Sequence, residues 1–186
     1  MIQPIEALWL ALGAYWLLAA RHSKATRRRE ARWRTWGRLA LLAAAFEFVF
    51  SPWGRIGWLG GRFVPAGAVT YWLGVGLTAA GITVAAWARH CLAANWSGAV
   101  TLKEGHELVR RGPYARVRHP IYAGIQLGML GTAIAVGEWR ALLAFGGLAL
   151  AQALKARKEE RWLASEFGAA FAEHSRQTGM FVPRLF

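Results

Sequence analysis

Two short stretches of this chain hold the side chains able to do chemistry. The first runs from His106 through Glu107, Leu108, Val109, Gly112, Pro113, Tyr114, Arg116 and Arg118 to His119, Pro120, Ile121 and Tyr122, concentrating polar and aromatic groups just ahead of an apolar segment. Gly112-Pro113 is a turn signal, and Pro120 suits the first position of a helix, where its missing N–H removes no bond. His119, one residue before a proline, is biased to extended backbone and is expected off the helix, near its cap. A helix starting there aims unpaired backbone N–H groups outward and favours a carboxylate or phosphate, with Arg116 and Arg118 adding positive charge. Residue types alone favour the plainer reading, arginines that snorkel at a membrane boundary.

The second stretch is Lys155, Arg157, Lys158, Glu159 and Glu160. Lys155 and Glu159, four apart, share a helical face, and Arg157 and Glu160 are three apart. Such runs are usually solvated ion pairs; this one differs in ending an apolar segment on the same side as His119. The single cysteine, Cys91, excludes an intrachain disulfide and a cysteine-rich metal centre, and reads as a small hydrophobe. The absence of Asp removes Asp-based triads and the usual magnesium–phosphate constellations. No metal site is expected.

Apolar elements must position these groups. A chain of 186 residues with 55% hydrophobic side chains and 23 Lys and Arg is no soluble globule unless the two properties are segregated. They are: long uncharged runs alternate with short basic ones, as in a multi-span membrane protein. A net charge of +13 would suggest nucleic acid in a soluble protein, but the basic residues sit at the ends of apolar segments. That pattern points to topology and anionic lipid, with the bilayer as first partner and no nucleic acid.

The expected fold is all-α: one polytopic membrane domain over 1–186, with about five transmembrane helices, a C-terminal helical hairpin and a cytoplasmic amphipathic helix. The spans are read at Ile5–Ala20, Leu39–Trp53, Ala66–Ala88, Pro120–Gly137 and Ala141–Leu154, so that 1–94 holds the N-terminal spans and 95–186 the chemistry. No Lys or Arg precedes Ile5, so the first segment reads as a retained span, not a signal peptide. Eight basic residues from Arg21 to Arg38, and six from Arg89 to His119, place both loops in the cytoplasm and the N-terminus outside. Glu166, Phe167, Phe171 and His174 are spaced for the amphipathic helix. Gly124, Gly128 and Gly131 suit close packing in the hairpin, and Trp9, Trp33, Trp36, Trp53 and Trp139 suit interfacial anchoring. Glu47 falls in the second span or near its interface.

From Asn95-Trp96-Ser97 onward the chain carries Gly112-Pro113-Tyr114, Arg118-His119-Pro120-x-Tyr122-x-Gly124, the hairpin, Glu159-Glu160-x-x-Leu163-x-x-x-Phe167-Gly168 and a closing Phe181-x-Pro183. In order and spacing this half resembles the isoprenylcysteine carboxyl methyltransferase family, integral membrane enzymes related to phospholipid methyltransferases. The resemblance implies S-adenosylmethionine in a cytoplasm-facing pocket without a Rossmann domain, and no strand followed by G-x-G-x-x-G is present. By motif position it implies cofactor contacts from His106, Glu107, Leu108, Val109, Tyr114, His119, Pro120, Ile121, Tyr122 and Glu159. Lys155 would meet the substrate, and Arg118 and Glu160 are the catalytic candidates.

Each implied role has a physical reason. Tyr114 or Tyr122 can stack on adenine, Glu159 suits the cofactor's cationic amine, and His119 or the helix N-terminus suits its carboxylate. The family resemblance also implies an arginine where Lys155 stands, and tyrosines where Phe171 and His174 stand. An ammonium is a poorer bidentate partner for a carboxylate than a guanidinium, and Arg157 lies about 200° away around the helix. The implied activity is methyl transfer to a membrane-embedded acceptor, foremost the carboxylate of an isoprenylcysteine-like or other lipidic substrate, which needs no general base. An amine or thiol would need one, for which Glu160 or His106 are candidates. The alternatives are N-methylation of a phospholipid amine and a non-catalytic membrane protein keeping the fold.

Overall fold

The computed structural model describes residues 3–20, 26–29, 31–93, 101–103 and 107–184. These form six α-helices: α1 (Pro4–Ala20), α2 (Arg32–Phe50), α3 (Ala68–Leu92), α4 (Pro120–Val136), α5 (Trp139–Phe167) and α6 (Ala169–Gln177). Strand β1 (Thr26–Arg29) pairs antiparallel with β2 (Thr101–Lys103), a small addition to the all-α expectation.

All five apolar segments fall in helices, but among the described residues only α3 is both long and apolar enough to cross a bilayer. The 17 residues of α4 cover about 26 Å, short of a core about 30 Å thick, and α1 has the same length. Five spans are therefore not established. Two boundaries are also corrected. The second helix begins at Arg32, inside the basic run, and the fifth does not end at Leu154 but continues to Phe167, because Lys155 to Glu166 are good helix formers with side-chain pairs along the axis. The separate amphipathic helix is thus short: α6 buries Phe171 and His174 on one face. Leu10, Leu17, Val69, Leu73, Leu143 and Leu150 are exposed, an outward apolar surface that suits lipid better than water.

The glycine row of α4 packs, but not within the hairpin. Gly124, Gly128 and Gly131 lie against Gly74, Thr78, Gly81 and Ala85 of α3, so closely that a Cβ on Gly81 would strike the backbone of Gly124 and Gly128. Thr78 Oγ1 lies 3.1 Å from the Gly128 carbonyl and 3.3 Å from Thr132 Oγ1, and Trp9 Nε1 donates to Thr132 Oγ1 at 3.0 Å. The reason is complementarity: α3 offers its own row of small residues, whereas α5 presents Ala141, Ala144 and Leu148. Trp9 is accordingly a partner inside the bundle, not an interfacial anchor. Glu47 is exposed near the end of α2 and accepts a bond from Trp53.

Helix α2 packs on α5 through Val49, which meets Ala141 and Ala144. At the turn between α4 and α5, Gly137 takes a left-handed backbone (φ +72°) to close α4. Arg140 then bridges Glu138 at 2.6 Å and donates to the carbonyls of Phe48 and Ser51, capping α2.

Candidate functional site

His119 is the N-cap of α4, with φ −123° and ψ 60°, and Pro120 is the first helical residue. The antiparallel hairpin returns α5 to the same end, where Lys155, Glu159 and Glu160 meet them. Tyr122 donates its hydroxyl to Glu159, 2.9 Å from both carboxylate oxygens. The His119 ring stacks on Tyr122, nearly parallel, with centroids 5.4 Å apart. Its Nδ1 lies 3.6 Å from Glu159 Oε2. Its Nε2 lies 3.3 Å from Glu160 Oε1, an ion-pair contact at the long edge of hydrogen bonding that lacks full hydrogen-bond geometry among the described residues. Lys155 Nζ is 3.8 Å from Glu159 Oε1 and 5.2 Å from the centre of the Tyr122 ring.

Arg118 and Glu160 are paired with each other at 2.6 Å. Arg118 also donates to the carbonyls of Ser175 and Thr178, which fastens the end of α6 beneath the site. The backbone repeats the tie: Arg118 N–H donates to Gly179 at 2.9 Å and His119 N–H to Met180 at 3.0 Å. Phe181 then lies 6.0 Å from the His119 ring. Burial works against charge on Glu160, but nearby His119 and the bond from Arg118 outweigh it and hold its carboxyl below the usual range.

The remaining expected positions fall nearby with less polar contact. Tyr114 is buried with Ala88 and Ile121, and Val109 packs against that cluster. Burial pushes the Tyr114 hydroxyl far up, and the Glu159 carboxylate adds to the push. Pro120 is buried, Leu108 half-buried and Glu107 exposed. His106 lies outside the described residues. Arg116 is exposed, and Arg157 lines an open cleft with Glu160, Arg161, Ala164 and Phe171 on the other flank of Glu160, away from Lys155.

Arg38, in the sequence one of the eight basic residues from Arg21 to Arg38, also belongs here. Arg38 of α2 is half-buried; burial lowers its pKa, while Tyr122 and Glu159 act in the opposite direction. The signal was available in phase: Arg38, Leu42, Ala45 and Val49 recur at helical spacing on one face of α2.

The chain matches the family model for phospholipid methyltransferase over residues 69–170, more than half its length. It is also similar to the cobalt-zinc-cadmium resistance protein CzcN of Cupriavidus metallidurans, with 44% identity over 85 residues, covering 45% of this chain and 38% of that protein. A second relative is YpbQ of Bacillus subtilis, 34% identical over 62 residues, covering 33% of this chain and 37% of the other. The matches thus span well under half the length of these two relatives.

Proposed function

Since the chain belongs to the phospholipid methyltransferase family of integral membrane methyltransferases, we propose that it methylates the carboxylate of a lipid-like acceptor, an isoprenylcysteine or similar acid, from S-adenosylmethionine. The observation that carries this is the meeting of Glu159, the stacked His119–Tyr122 pair and Lys155 at one end of the hairpin.

The side chains fit the cofactor's groups. A carboxylate held by Tyr122 suits an ammonium, the buried and unbonded Nε2 of His119 suits a polar partner, and the aromatic faces suit adenine. When bound, the cofactor supplies a methyl group on a sulfonium, already set to leave. What remains for the protein is alignment and exclusion of water. Lys155 orients an acceptor carboxylate, which attacks as the anion and releases no proton. Arg118 and Glu160, the expected catalytic pair, are bonded to each other and on this reading hold His119 against α5 as a clamp. An amine acceptor is served poorly, because Glu160 is engaged by Arg118 and held below its usual pKa, which makes it a weak base.

Calorimetry in nanodiscs tests the cofactor. The wild type should bind S-adenosylhomocysteine, and His119→Ala and Glu159→Ala should bind it roughly tenfold more weakly or worse. No binding at millimolar concentration overturns the methyltransferase reading; wild-type affinity in both variants overturns the site alone. Methyl label appearing on phosphatidylethanolamine, and not on S-farnesyl-N-acetylcysteine, would replace the carboxylate by the amine.

The site is proposed to face the cytoplasm, with the N-terminus outside. In a Cys91→Ala background, single cysteines at exposed Trp33 and Arg184 should label from the cytoplasmic side and one at Trp58 from the other. Labelling of Trp33→Cys and Arg184→Cys from opposite sides would refute this arrangement.

A further inference from the structure

The inward face of α2 continues past the apolar packing into the polar end of the bundle. Val49 sits against Ala141 and Ala144 of α5. Because α2 runs antiparallel to α5 along this contact, moving back three turns on α2 from Val49 to Arg38 moves forward three turns on α5, from Ala141 and Ala144 to Gln152 and Lys155. Gln152 is 92% buried by its 8% exposure, and its Oε1 accepts no hydrogen bond among the described residues. Lys155 is one turn further, with a side chain only 12% exposed. A buried carbonyl oxygen without a donor is unfavourable by itself, and turned about its last torsion the amide presents two N–H donors in the same place.

From this juxtaposition we infer that Arg38, Gln152 and Lys155 form the recognition site for the acceptor's carboxylate. Acceptor choice is then set partly by α2, which lies outside the family-matched residues 69–170. The inference deepens the methyltransferase reading and rests on it. Arg38 and Lys155 both act on Glu159, whose oxygens also take the Tyr122 hydroxyl, and two cations converging at one carboxylate make the place attractive to an acceptor anion. A guanidinium from α2 supplies the planar fork that the ammonium of Lys155 lacks. Leu39 and Leu41 on α2 and Leu150 and Leu154 on α5 are exposed and suit a hydrocarbon chain on that acid.

The test is binding of S-farnesyl-N-acetylcysteine and of its neutral carboxamide to the full chain in phosphatidylcholine nanodiscs, with and without S-adenosylhomocysteine. The wild type should prefer the acid by about tenfold or more. Arg38→Met should reduce that preference below about threefold with unchanged S-adenosylhomocysteine affinity, Arg38→Lys should keep most of it, and Gln152→Leu should weaken acid binding several-fold. No preference in the wild type, or full preference in Arg38→Met, overturns the inference. So does a parallel loss of S-adenosylhomocysteine affinity in Arg38→Met, which would place Arg38 in the cofactor site. Failure of the wild type to bind S-adenosylhomocysteine overturns the methyltransferase reading instead, and an acid preference governed by Arg38 would stand without it.

Discussion

The two ends of the α4–α5 hairpin both bury charge and differ in how completely they satisfy it. At the turn, Glu138 is held by Arg140 and Arg55, and Arg140 donates through Nη1 to the carbonyls of Phe48 and Ser51 that end α2. Burial works to raise the Glu138 carboxyl, and the two guanidiniums overcome it and hold the group below its usual range. At the open end, His119 Nε2 and Gln152 Oε1 are buried without hydrogen bonds. A closed network rigidifies a turn; an incomplete one leaves atoms with room for a further partner. On the proposed reading, the comparison separates charge that serves folding from charge kept for a ligand.

The largest effect should come from breaking the closed end. Arg140→Met takes the shortest bond from the nearly inaccessible Glu138, leaving Arg55 as its partner, and uncaps α2, and should destabilise by about 2–3 kcal/mol in reversible unfolding in detergent. Arg140→Met combined with Glu138→Met should recover much of that loss, because both charges then leave together. A double variant no more stable than the single one would show that capping, not charge pairing, carries the turn.

At the open end the same kind of change should read out in binding. Glu159→Gln and Tyr122→Phe should alter stability by about 1 kcal/mol or less while weakening S-adenosylhomocysteine roughly tenfold. If Glu159→Gln destabilises as much as Arg140→Met, the contrast between the two ends disappears.

The smallest effect concerns pH at α6. Burial, and then the charges of Arg110 and Arg118, hold His174 below its usual pKa, so the unfolded chain binds more protons between the two values. Stability from a neutral His174 is full above about pH 6.5 and is lost as pH falls below it. Glu160, also depressed, contributes above the ordinary carboxylate range near pH 4.3 and loses its share only as pH falls through its lower folded value. The protection factors of the α6 amides, corrected for intrinsic exchange at each pH, should therefore fall first below about pH 6.5 and again in stronger acid. His174→Phe should remove the first step and leave the second; persistence of the first step in that variant would assign it to another group.

Local rules in the sequence determined much of this protein. Pro120 starts α4 because its ring fits a first turn, His119 caps it because a residue before proline is kept out of the helix, and apolar runs broken by arginines mark the helices. The hairpin follows from two apolar segments around a tight polar turn, and it alone predicts that His119 and Glu159 meet. What the sequence left open was which face looks at which neighbour. The glycine row of α4 serves α3 and not α5, Trp9 turns inward to Thr132, Arg118 is occupied by Glu160 and the end of α6, and Arg38 comes within electrostatic reach of Tyr122 and Glu159. Helical period fixes that a face exists, since it depends on residues a few positions apart. Its partner is decided by shape and charge complementarity among segments far apart in the chain, and only the tertiary structure brings those together.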